Sequence, residues 1–348
     1  MRTESLLISQ DILQLIASID EFKGAWKALG NIAPEQLTSL RRVATIESIG
    51  SSTRIEGSKL SDREIEKLLS NVAVQKLENR DEQEVAGYAA VMDIIFQHYK
   101  EIPLSENYIC QLHKELLKFS EKDERHRGIY KSQSNQIEAF DQSGNSLGVI
   151  FVTASAFETP FRMKNLVEWT NTSIAEKKLH PLLICAIFIV EFLAIHPFQD
   201  GNGRLSRILT TYLLMNAGYI YVPYSSLEAV IENSKDAYYL ALRNTQITLQ
   251  EEEPNWQPWL LFFLQALDQQ KKKLELKISQ EKLLMAKLPQ LSLSILSIIK
   301  SRGHSSIAEL VTLTEANRNT LKKHLENLVK SNHISKVGQG KNTTYRLS

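Results

Sequence analysis

The residues of this 348-residue chain best suited to chemistry lie between His196 and Arg207, here called the reactive segment. An imidazole such as His196, whose ordinary pKa is near neutrality, can accept a proton from a hydroxyl nucleophile. Asp200 offers a hard oxygen ligand for Mg²⁺, which usually binds one or two carboxylates together with substrate phosphates. A base and a metal carboxylate are therefore four residues apart.

The same segment carries glycines and arginines that suit a phosphate. Gly201 and Gly203 let the backbone turn its N–H groups inward at a helix start, where the helix dipole favours an anion. Arg204 and Arg207 share one face of the first helical turn and can fork onto phosphate oxygens. The alternative is that His196 only caps a buried helix and the arginines lie on the surface. The combination predicts a site for phosphoryl or nucleotidyl transfer.

The elements around the reactive segment are predicted to be helices. Pro181–Ile195 is almost entirely apolar, which predicts a helix buried on most sides. Residues from Leu6 to about Ser120 carry helical patterns, with capping boxes at Ser61–Glu64 and Asp81–Glu84. Two β-prone runs between Gly128 and Thr153 flank a Gly-Asn turn and predict a hairpin.

Composition limits the class of protein. Hydrophobic residues make up 43% and charged residues 23%, which is typical of a globular chain. Cys110 and Cys185 cannot form a disulfide framework, so a cytoplasmic location is expected. No signal peptide opens the sequence, and the longest apolar run is too short for a membrane span, so no membrane partner is expected.

Charge is unevenly distributed along the chain. Residues 289–348 contain nine Lys or Arg against three Glu, although the whole chain has a net charge of only +1. This asymmetry predicts a boundary near Leu288. We expect a helical N-terminal region (1–100), a catalytic core (101–250), a connecting helix (251–288) and a C-terminal domain (289–348).

The C-terminal residues predict three helices followed by a basic hairpin. This order resembles a winged helix-turn-helix, in which Arg318, Lys322 and Lys323 on the third helix and Lys341 in the wing would contact DNA phosphates. A protein-contact or dimerisation role is the alternative, so a homodimer is also an expectation.

The reactive segment matches HPFxDGNGRxxR at every fixed position, and it resembles the signature of the Fic (filamentation induced by cAMP) family. The resemblance implies a mainly α fold: a Fic-type helical core with a β-hairpin flap, here followed by the small winged helix-turn-helix domain. It implies transfer of AMP from the cofactor ATP to a Ser, Thr or Tyr hydroxyl of a protein, the chain itself included. The flap would align the target as an added strand.

Roles for single residues follow from the same resemblance. His196 would deprotonate the target hydroxyl, Asp200 would hold the Mg²⁺ that bridges two phosphates, and Phe198 would anchor the loop in the core. Gly201, Asn202 and Gly203 would form the anion hole, and Asn233 and Tyr239 would lie on the adenine side. The residues expected to bind ATP are Glu56, Gly201, Asn202, Gly203, Arg204, Leu205, Ser206, Arg207, Asn233 and Tyr239.

Upstream, Ser52-Thr-Arg-Ile-Glu56-Gly57 matches the inhibitory pattern of that family, (S/T)xxxE(G/N). Ser52 and Glu56 share one helical face, and Gly57 lets the chain leave the helix. A Glu56 carboxylate paired with Arg207 would take the partner of the γ-phosphate and misplace the α-phosphate. An ordinary solvated helix end is the alternative reading.

The sequence therefore predicts a cytoplasmic, Mg²⁺- and ATP-dependent protein adenylyltransferase inhibited by its own Glu56. Two alternatives stay open at this point. One is a DNA-binding regulator whose core senses a nucleotide, and the other is an enzyme of reversed direction that removes AMP, with Glu56 orienting a water.

Overall fold

Helices dominate the computed structural model, which confirms the predicted mainly α fold. The structure describes residues 1–28, 34–71, 77–133, 135–140, 146–286, 289–331, 333–338, 340 and 343–347. It divides into two units, Met1–Lys273 and Leu274–Ser348. Within the described ranges, no helix is both long and apolar enough to cross a bilayer.

The first unit combines helices with one antiparallel hairpin. Its helices are α1 (Gln10–Ala28), α2 (Pro34–Ile55), α3 (Asp62–Asn71), α4 (Arg80–His98), α5 (Glu106–Leu116), α6 (Thr159–Glu176), α7 (Pro181–Ile195), α8 (Asn202–Asn216), a 3-10 turn (Val222–Tyr224), α9 (Leu227–Asn233), α10 (Lys235–Gln246) and the start of α11 (Gln257–Ala286). The predicted hairpin is confirmed as β1 (Gln136–Phe140) paired with β2 (Ser146–Val152). Its predicted turn, 141–145, lies outside the described residues.

Helix α7 is enclosed because its sequence has no polar face. Every residue from Leu182 to Ile195 is buried, as the apolar run predicts. Pro181 takes the first helical position, where its missing N–H costs nothing, and the His180 side chain accepts a hydrogen bond from the Leu182 N–H. A helix packed on all sides holds the residue that follows it, His196, in a fixed place.

Two predicted helix starts before α7 have different outcomes. The capping box at Ser61 is confirmed, since the Ser61 N–H donates to the Glu64 carboxylate at 2.9 Å and the Glu64 N–H donates to the Ser61 hydroxyl at 3.4 Å. The predicted cap at Asp81 is wrong. Helix α4 starts earlier because Asn79 has the extended backbone of a cap and its side chain accepts from the Glu82 N–H at 2.9 Å.

The second unit contains three short strands among its helices. After the end of α11 come α12 (Gln290–Arg302), β3 (Ser305–Ser306), α13 (Ile307–Thr314), α14 (Arg318–Lys330), β4 (Ile334–Val337) and β5 (Thr344–Leu347). The strands form an antiparallel sheet in the order β3-β5-β4, and β3 is absent from the sequence prediction. Leu310, Leu321 and Leu325 belong to the apolar core of this unit.

The observed division between the units differs from the predicted one. It falls at Lys273, inside α11, whereas the sequence predicts it near Leu288, which lies outside the described residues. The shift in charge and Pro289 mark the neighbourhood where a helix ends. Packing contacts divide earlier, because a long helix continues past the last residues that pack in the first unit.

Candidate active site

The loop at the start of the reactive segment, His196–Gly201, begins and ends on residues with left-handed backbone. His196 is the C-cap of α7 with φ 52°, and Gly201 is the N-cap of α8 with φ 80°, a conformation that favours glycine. Asn202 closes the turn between them: its Oδ1 accepts from the Phe198 N–H at 2.9 Å and its Nδ2 donates to the Phe198 carbonyl at 2.7 Å. The loop is therefore built in advance of any ligand.

A second imidazole, that of His113 on α5, packs against this loop and supports it. Its ring stacks on Phe198 at 3.7 Å and 9°, its Nδ1 accepts from the Gly128 N–H at 2.9 Å, and its Nε2 is 3.0 Å from the Asp200 carbonyl. Because Nδ1 accepts, Nε2 carries the proton and donates to Asp200. Burial lowers the pKa of His113 to about 4, so this ring is a neutral support. Sequence reasoning missed it.

The imidazole of His196 has one nitrogen committed and one left to act. Nδ1 lies 3.3 Å from the Leu193 carbonyl, which can only accept, so Nδ1 holds the proton and Nε2 is the basic nitrogen. Burial, followed by the positive charge of Lys131, lowers the pKa of His196 to about 4. The ring is thus neutral at pH 7, with Nε2 unprotonated.

A carboxylate already lies at the start of α8. A Cβ at Gly203 would collide with Oε1 of Glu56 and would lie 3.3 Å from Nη1 of Arg207. The first turn of a helix favours negative charge because its N–H groups point outward and its dipole is positive there. Glu56 therefore stands where the sequence predicts an anion to bind.

Arg207 joins this carboxylate to the inhibitory pattern. Its Nη2 donates to Glu56 Oε1 at 2.8 Å and to the Ser52 carbonyl at 3.0 Å, and its Nε donates to the Ser52 hydroxyl at 2.8 Å. Partial burial alone would raise the pKa of Glu56, but the charge and hydrogen bond of Arg207 outweigh it and lower that pKa. Gly57 ends the helical turn with φ 106°. The structure thus brings Ser52 and Glu56 of the inhibitory pattern onto Arg207 of the reactive segment.

Arg204 belongs to a ring of four alternating charges. Its Nη2 donates to Asp200 Oδ1 at 3.1 Å, and Asp200 Oδ2 accepts from Arg80 Nη2 at 2.9 Å. Arg80 Nε donates to Glu84 Oε1 at 2.7 Å, and Glu84 Oε2 lies 3.2 Å from Arg204 Nη1, which closes the ring. Arg80 and Glu84 come from α4, and sequence reasoning missed both, since an i,i+4 charge pair is common on any exposed helix.

Comparison with known proteins identifies the domain that holds this site. The Fic/DOC family model matches residues 103–214, which include the whole reactive segment. The chain carries a Fic/DOC domain. It is 27% identical over 233 residues to "Protein adenylyltransferase Fic" of Drosophila willistoni, a match that covers 66% of this chain and 43% of the relative. The chain therefore spans less than half the length of that relative.

Solved structures agree on the fold. A Fic family protein from Desulfovibrio desulfuricans G20 aligns over 98% of this chain and 97% of its own, with a TM-score of 0.64 and 24% identity. A Fic domain containing signaling protein from Bacteroides thetaiotaomicron VPI-5482 aligns over 75% and 94% respectively, with a TM-score of 0.58 and 25% identity. The first of these extends the similarity in fold beyond the matched domain.

The donor set of the Fic/DOC domain suits a nucleotide with Mg²⁺. Within the part of the chain that the structure describes, no group of three or more His, Cys, Asp or Glu side chains could hold a metal ion by itself. Asp200 alone fits an ion that takes its other ligands from phosphate and water. Arg204 Nη1 is buried, and its contact with Glu84 Oε2 at 3.2 Å is an ion pair without hydrogen-bond geometry.

Not every predicted site residue presents its side chain to the site. Leu205 and Ser206 are 0% exposed; the Leu205 N–H donates to the Gly201 carbonyl at 2.9 Å and the Ser206 hydroxyl donates to the Gly203 carbonyl at 2.8 Å. Both side chains therefore support α8 from within. Only their place in the turn connects them with the anion site.

The two predicted adenine-side residues lie on α9 and α10. Asn233 is exposed, and its Nδ2 donates to the Ala229 carbonyl at 2.7 Å within its own helix. Tyr239 is partly buried, and burial followed by the charge of Glu56 raises its pKa. Tyr239 thus lies within the electrostatic reach of the Glu56 carboxylate. The adenine role of both residues stays a prediction.

Proposed function

We propose that this protein is a Mg²⁺- and ATP-dependent protein adenylyltransferase that its own Glu56 holds at low activity. The observation that carries the proposal is the carboxylate at Gly203 and Arg207, because it marks an anion site beside a neutral imidazole. The relatives' name, protein adenylyltransferase, supports the same reaction class.

The residues divide the reaction between them. His196 Nε2 takes the proton of a target hydroxyl as that oxygen bonds to the α-phosphorus of ATP, and pyrophosphate leaves as the old P–O bond breaks. The backbone at Gly203 and the guanidinium groups of Arg204 and Arg207 bind the phosphates. Asp200 would hold Mg²⁺, which supplies charge neutralisation at the phosphates when bound.

Inhibition follows from competition for Arg207. While Glu56 holds this guanidinium, the outer phosphates of ATP lack a partner and the α-phosphate lies out of line with the nucleophile. A misplacement of about 1 Å can cost roughly 10²-fold in rate. The same carboxylate near His196 keeps the reverse reaction, AMP removal, as the alternative outcome of the test.

Intact mass spectrometry of the Glu56→Gly protein with ATP and Mg²⁺ tests the proposal. We expect self-modification by one AMP, faster than in wild type, and no modification in Glu56→Gly/His196→Ala. An AMP adduct that survives loss of His196, or none in Glu56→Gly, would contradict it. Loss of AMP from the adduct on adding the wild-type protein, but not Glu56→Gly, would favour the reverse direction.

For the second unit we propose a winged helix-turn-helix that contacts duplex DNA. The element order α12-β3-α13-α14-β4-β5 supports the fold, and Arg318, Lys322 and Lys323 are exposed along α14. Lys341, the predicted wing contact, lies outside the described residues. A gel shift that weakens steeply with salt is expected, and Lys322→Gln/Lys323→Gln should reduce it. No association at low salt would contradict the proposal.

A cytoplasmic location and a homodimer stay predictions.

A further inference from the structure

Lys131, just before the hairpin, surrounds His196 with hydrogen bonds to both of its neighbours. The Lys131 ammonium donates to the Ile195 carbonyl at 3.0 Å, and the Lys131 backbone N–H donates to the Pro197 carbonyl at 2.8 Å. Ile195 is the last residue of α7, where the helix dipole favours a positive charge. One residue thus fixes the backbone on either side of the imidazole.

The same ammonium holds both ends of the hairpin. It donates to Asn135 Oδ1 at 2.7 Å and to the Thr153 hydroxyl at 3.0 Å, while that hydroxyl donates to the Asn135 carbonyl at 2.6 Å. Asn135 Nδ2 continues to the Phe198 carbonyl at 2.8 Å. The hairpin root and the reactive segment therefore form one hydrogen-bonded unit with Lys131 at its centre.

The acceptors around this ammonium are neutral oxygens. Lys131 is 4% exposed, and within the described residues no carboxylate oxygen lies within ion-pair distance of its Nζ. Burial, followed by the charge of Arg162, lowers the pKa of Lys131 to about 8, so the group is still charged at pH 7. An internal lysine without a carboxylate partner is unusual, because removing the charge from water is costly.

We propose that Lys131 is the positioning residue that fixes His196 and the hairpin root relative to each other. The proposal rests on the proposed adenylyl transfer, in which a target segment placed along the hairpin must bring its hydroxyl within reach of His196 Nε2. If the two parts moved independently, the nucleophile would lie off line by an ångström or more.

The charge of Lys131 also acts on the imidazole. The charged groups that affect His196 are Lys131, which lowers its pKa, and Glu56 and Asp200, which raise it. Burial continues to lower the pKa of His196 in a variant without the ammonium, but the positive charge that adds to this effect is gone, so the pKa should rise relative to the parent. A residue that merely filled space would not produce that change.

Lys131→Met in the Glu56→Gly background is the test, with Lys131→Arg as the conservative variant. We expect AMP incorporation at saturating ATP to fall about 10²-fold while the KM for ATP changes less than about twofold, since Lys131 contacts neither Gly203 nor Arg207. Lys131→Arg should recover most of the rate. Lys164→Met, at an exposed lysine of α6 that pairs with Glu168 on the surface, is the matched control and should be unaffected.

Two readouts do not depend on turnover. In ¹⁵N-histidine NMR of the full chain, with His196 assigned by His196→Ala, Lys131→Met should raise the pKa of His196 and Lys131→Arg should not. Hydrogen exchange should speed up at peptides covering residues 128–135 and 153–158. If Lys131→Met does not fold, Lys131→Gln, which keeps an uncharged NH₂ donor group, replaces it in each measurement.

The outcomes separate the two proposals. If Glu56→Gly itself incorporates no AMP, the proposed function fails, and the NMR and exchange measurements still decide the role of Lys131. If Lys131→Met keeps the parent's rate and the parent's His196 pKa, the positioning role is wrong. A rise in the KM for ATP equal to the loss in rate would also overturn it, because that would indicate nucleotide binding.

Discussion

Two arginines one helical turn apart, Arg204 and Arg207, are held in opposite ways. Both are nearly buried, with 2% and 4% of their side chains exposed. The carboxylate on Arg207 is Glu56, at the end of α2, and 32% of its side chain is exposed. The carboxylate of α4 on Arg204 is Glu84, which is 7% exposed and also binds Arg80.

The difference indicates which carboxylate can leave. Glu56 follows the last helical residue of α2 and precedes Gly57, so we expect a rotation of the chain there to release Arg207. Arg207 keeps its two contacts to Ser52 when that happens. Glu84 is the fifth residue of α4 and lies within a closed ring of charges, where it pairs with both Arg80 and Arg204. Under the proposed function, Glu56 is the carboxylate that leaves Arg207, and Glu84 is the carboxylate that stays on Arg204.

The largest effect is expected on the free energy of unfolding when Glu84 is changed. Glu84→Gln leaves the buried guanidinium of Arg204 without its α4 carboxylate, and breaking one partner of a buried pair costs about 3 kcal/mol or more in the free energy of unfolding. Urea denaturation of the full chain measures it. Asp93→Asn, an exposed carboxylate of the same helix, is the matched control and should change little. Equal stability of Glu84→Gln and wild type would remove the distinction between the two arginines.

The same chemical change at Glu56 should alter AMP incorporation and leave the free energy of unfolding almost unchanged. Glu56→Gln keeps a hydrogen-bond acceptor near Arg207 but loses the charge, so we expect AMP incorporation to rise about tenfold, less than with Glu56→Gly. The free energy of unfolding should change by no more than about 1 kcal/mol, because the side chain is partly in water. Intact mass spectrometry and urea denaturation measure the two quantities. A fall in incorporation would mean that Glu56 aids the forward reaction.

A smaller effect on AMP incorporation is expected from Arg54, which ties the end of α2 next to Glu56 to neighbouring helices. Arg54 forms a two-pronged pair with Glu232 of α9 at 2.7 and 3.1 Å, and it also donates to Asp62 at 2.8 Å. These pairs are partly exposed and worth about 1 kcal/mol together, so Arg54→Met should raise incorporation about fivefold. Arg42→Met is the control: it breaks the exposed pair between Arg42 of α2 and Glu66 of α3, the helices that Arg54 and Asp62 also join, and it should have no effect. Equal rates in both variants would contradict this.

The contacts of Arg207 and those around Asp200 and Arg204 also differ in how far they could be predicted from the sequence. Glu56 and Arg207 are both parts of short patterns, so their pairing could be expected before any coordinates, although they are 151 positions apart. The apolar helix α7 and the hairpin follow from local periodicity. Arg80 and His113 could not be foreseen. They reach Asp200 across 120 and 87 positions, and the patterns around them specify only that a helix forms.

Lys131 and the unit boundary mark the same limit. The hairpin was predictable from its β-prone runs, but the ammonium that joins it to Ile195 acts across 64 positions through one side chain. Charge composition placed the boundary near Leu288, whereas contacts place it at Lys273. Local patterns determine elements, and packing between distant elements determines which side chains meet.

The smallest expected effect is that of pH on AMP incorporation, and it tests whether Glu56 and Arg207 form an ion pair. The pKa of Glu56 is lowered by Arg207, so the pairing is fully present above the ordinary glutamate pKa of about 4.3 and is lost only as pH falls through the lowered value. The ratio of incorporation by Glu56→Gly to incorporation by wild type should therefore stay within about twofold from pH 6 to pH 9. Glu56 raises the pKa of His196, but that pKa is only about 4, so the imidazole is neutral in both proteins across this range. A ratio that collapsed toward one by pH 6 would mean that Glu56 takes up a proton near neutrality, and the guanidinium of Arg207 would then be held by Ser52 alone.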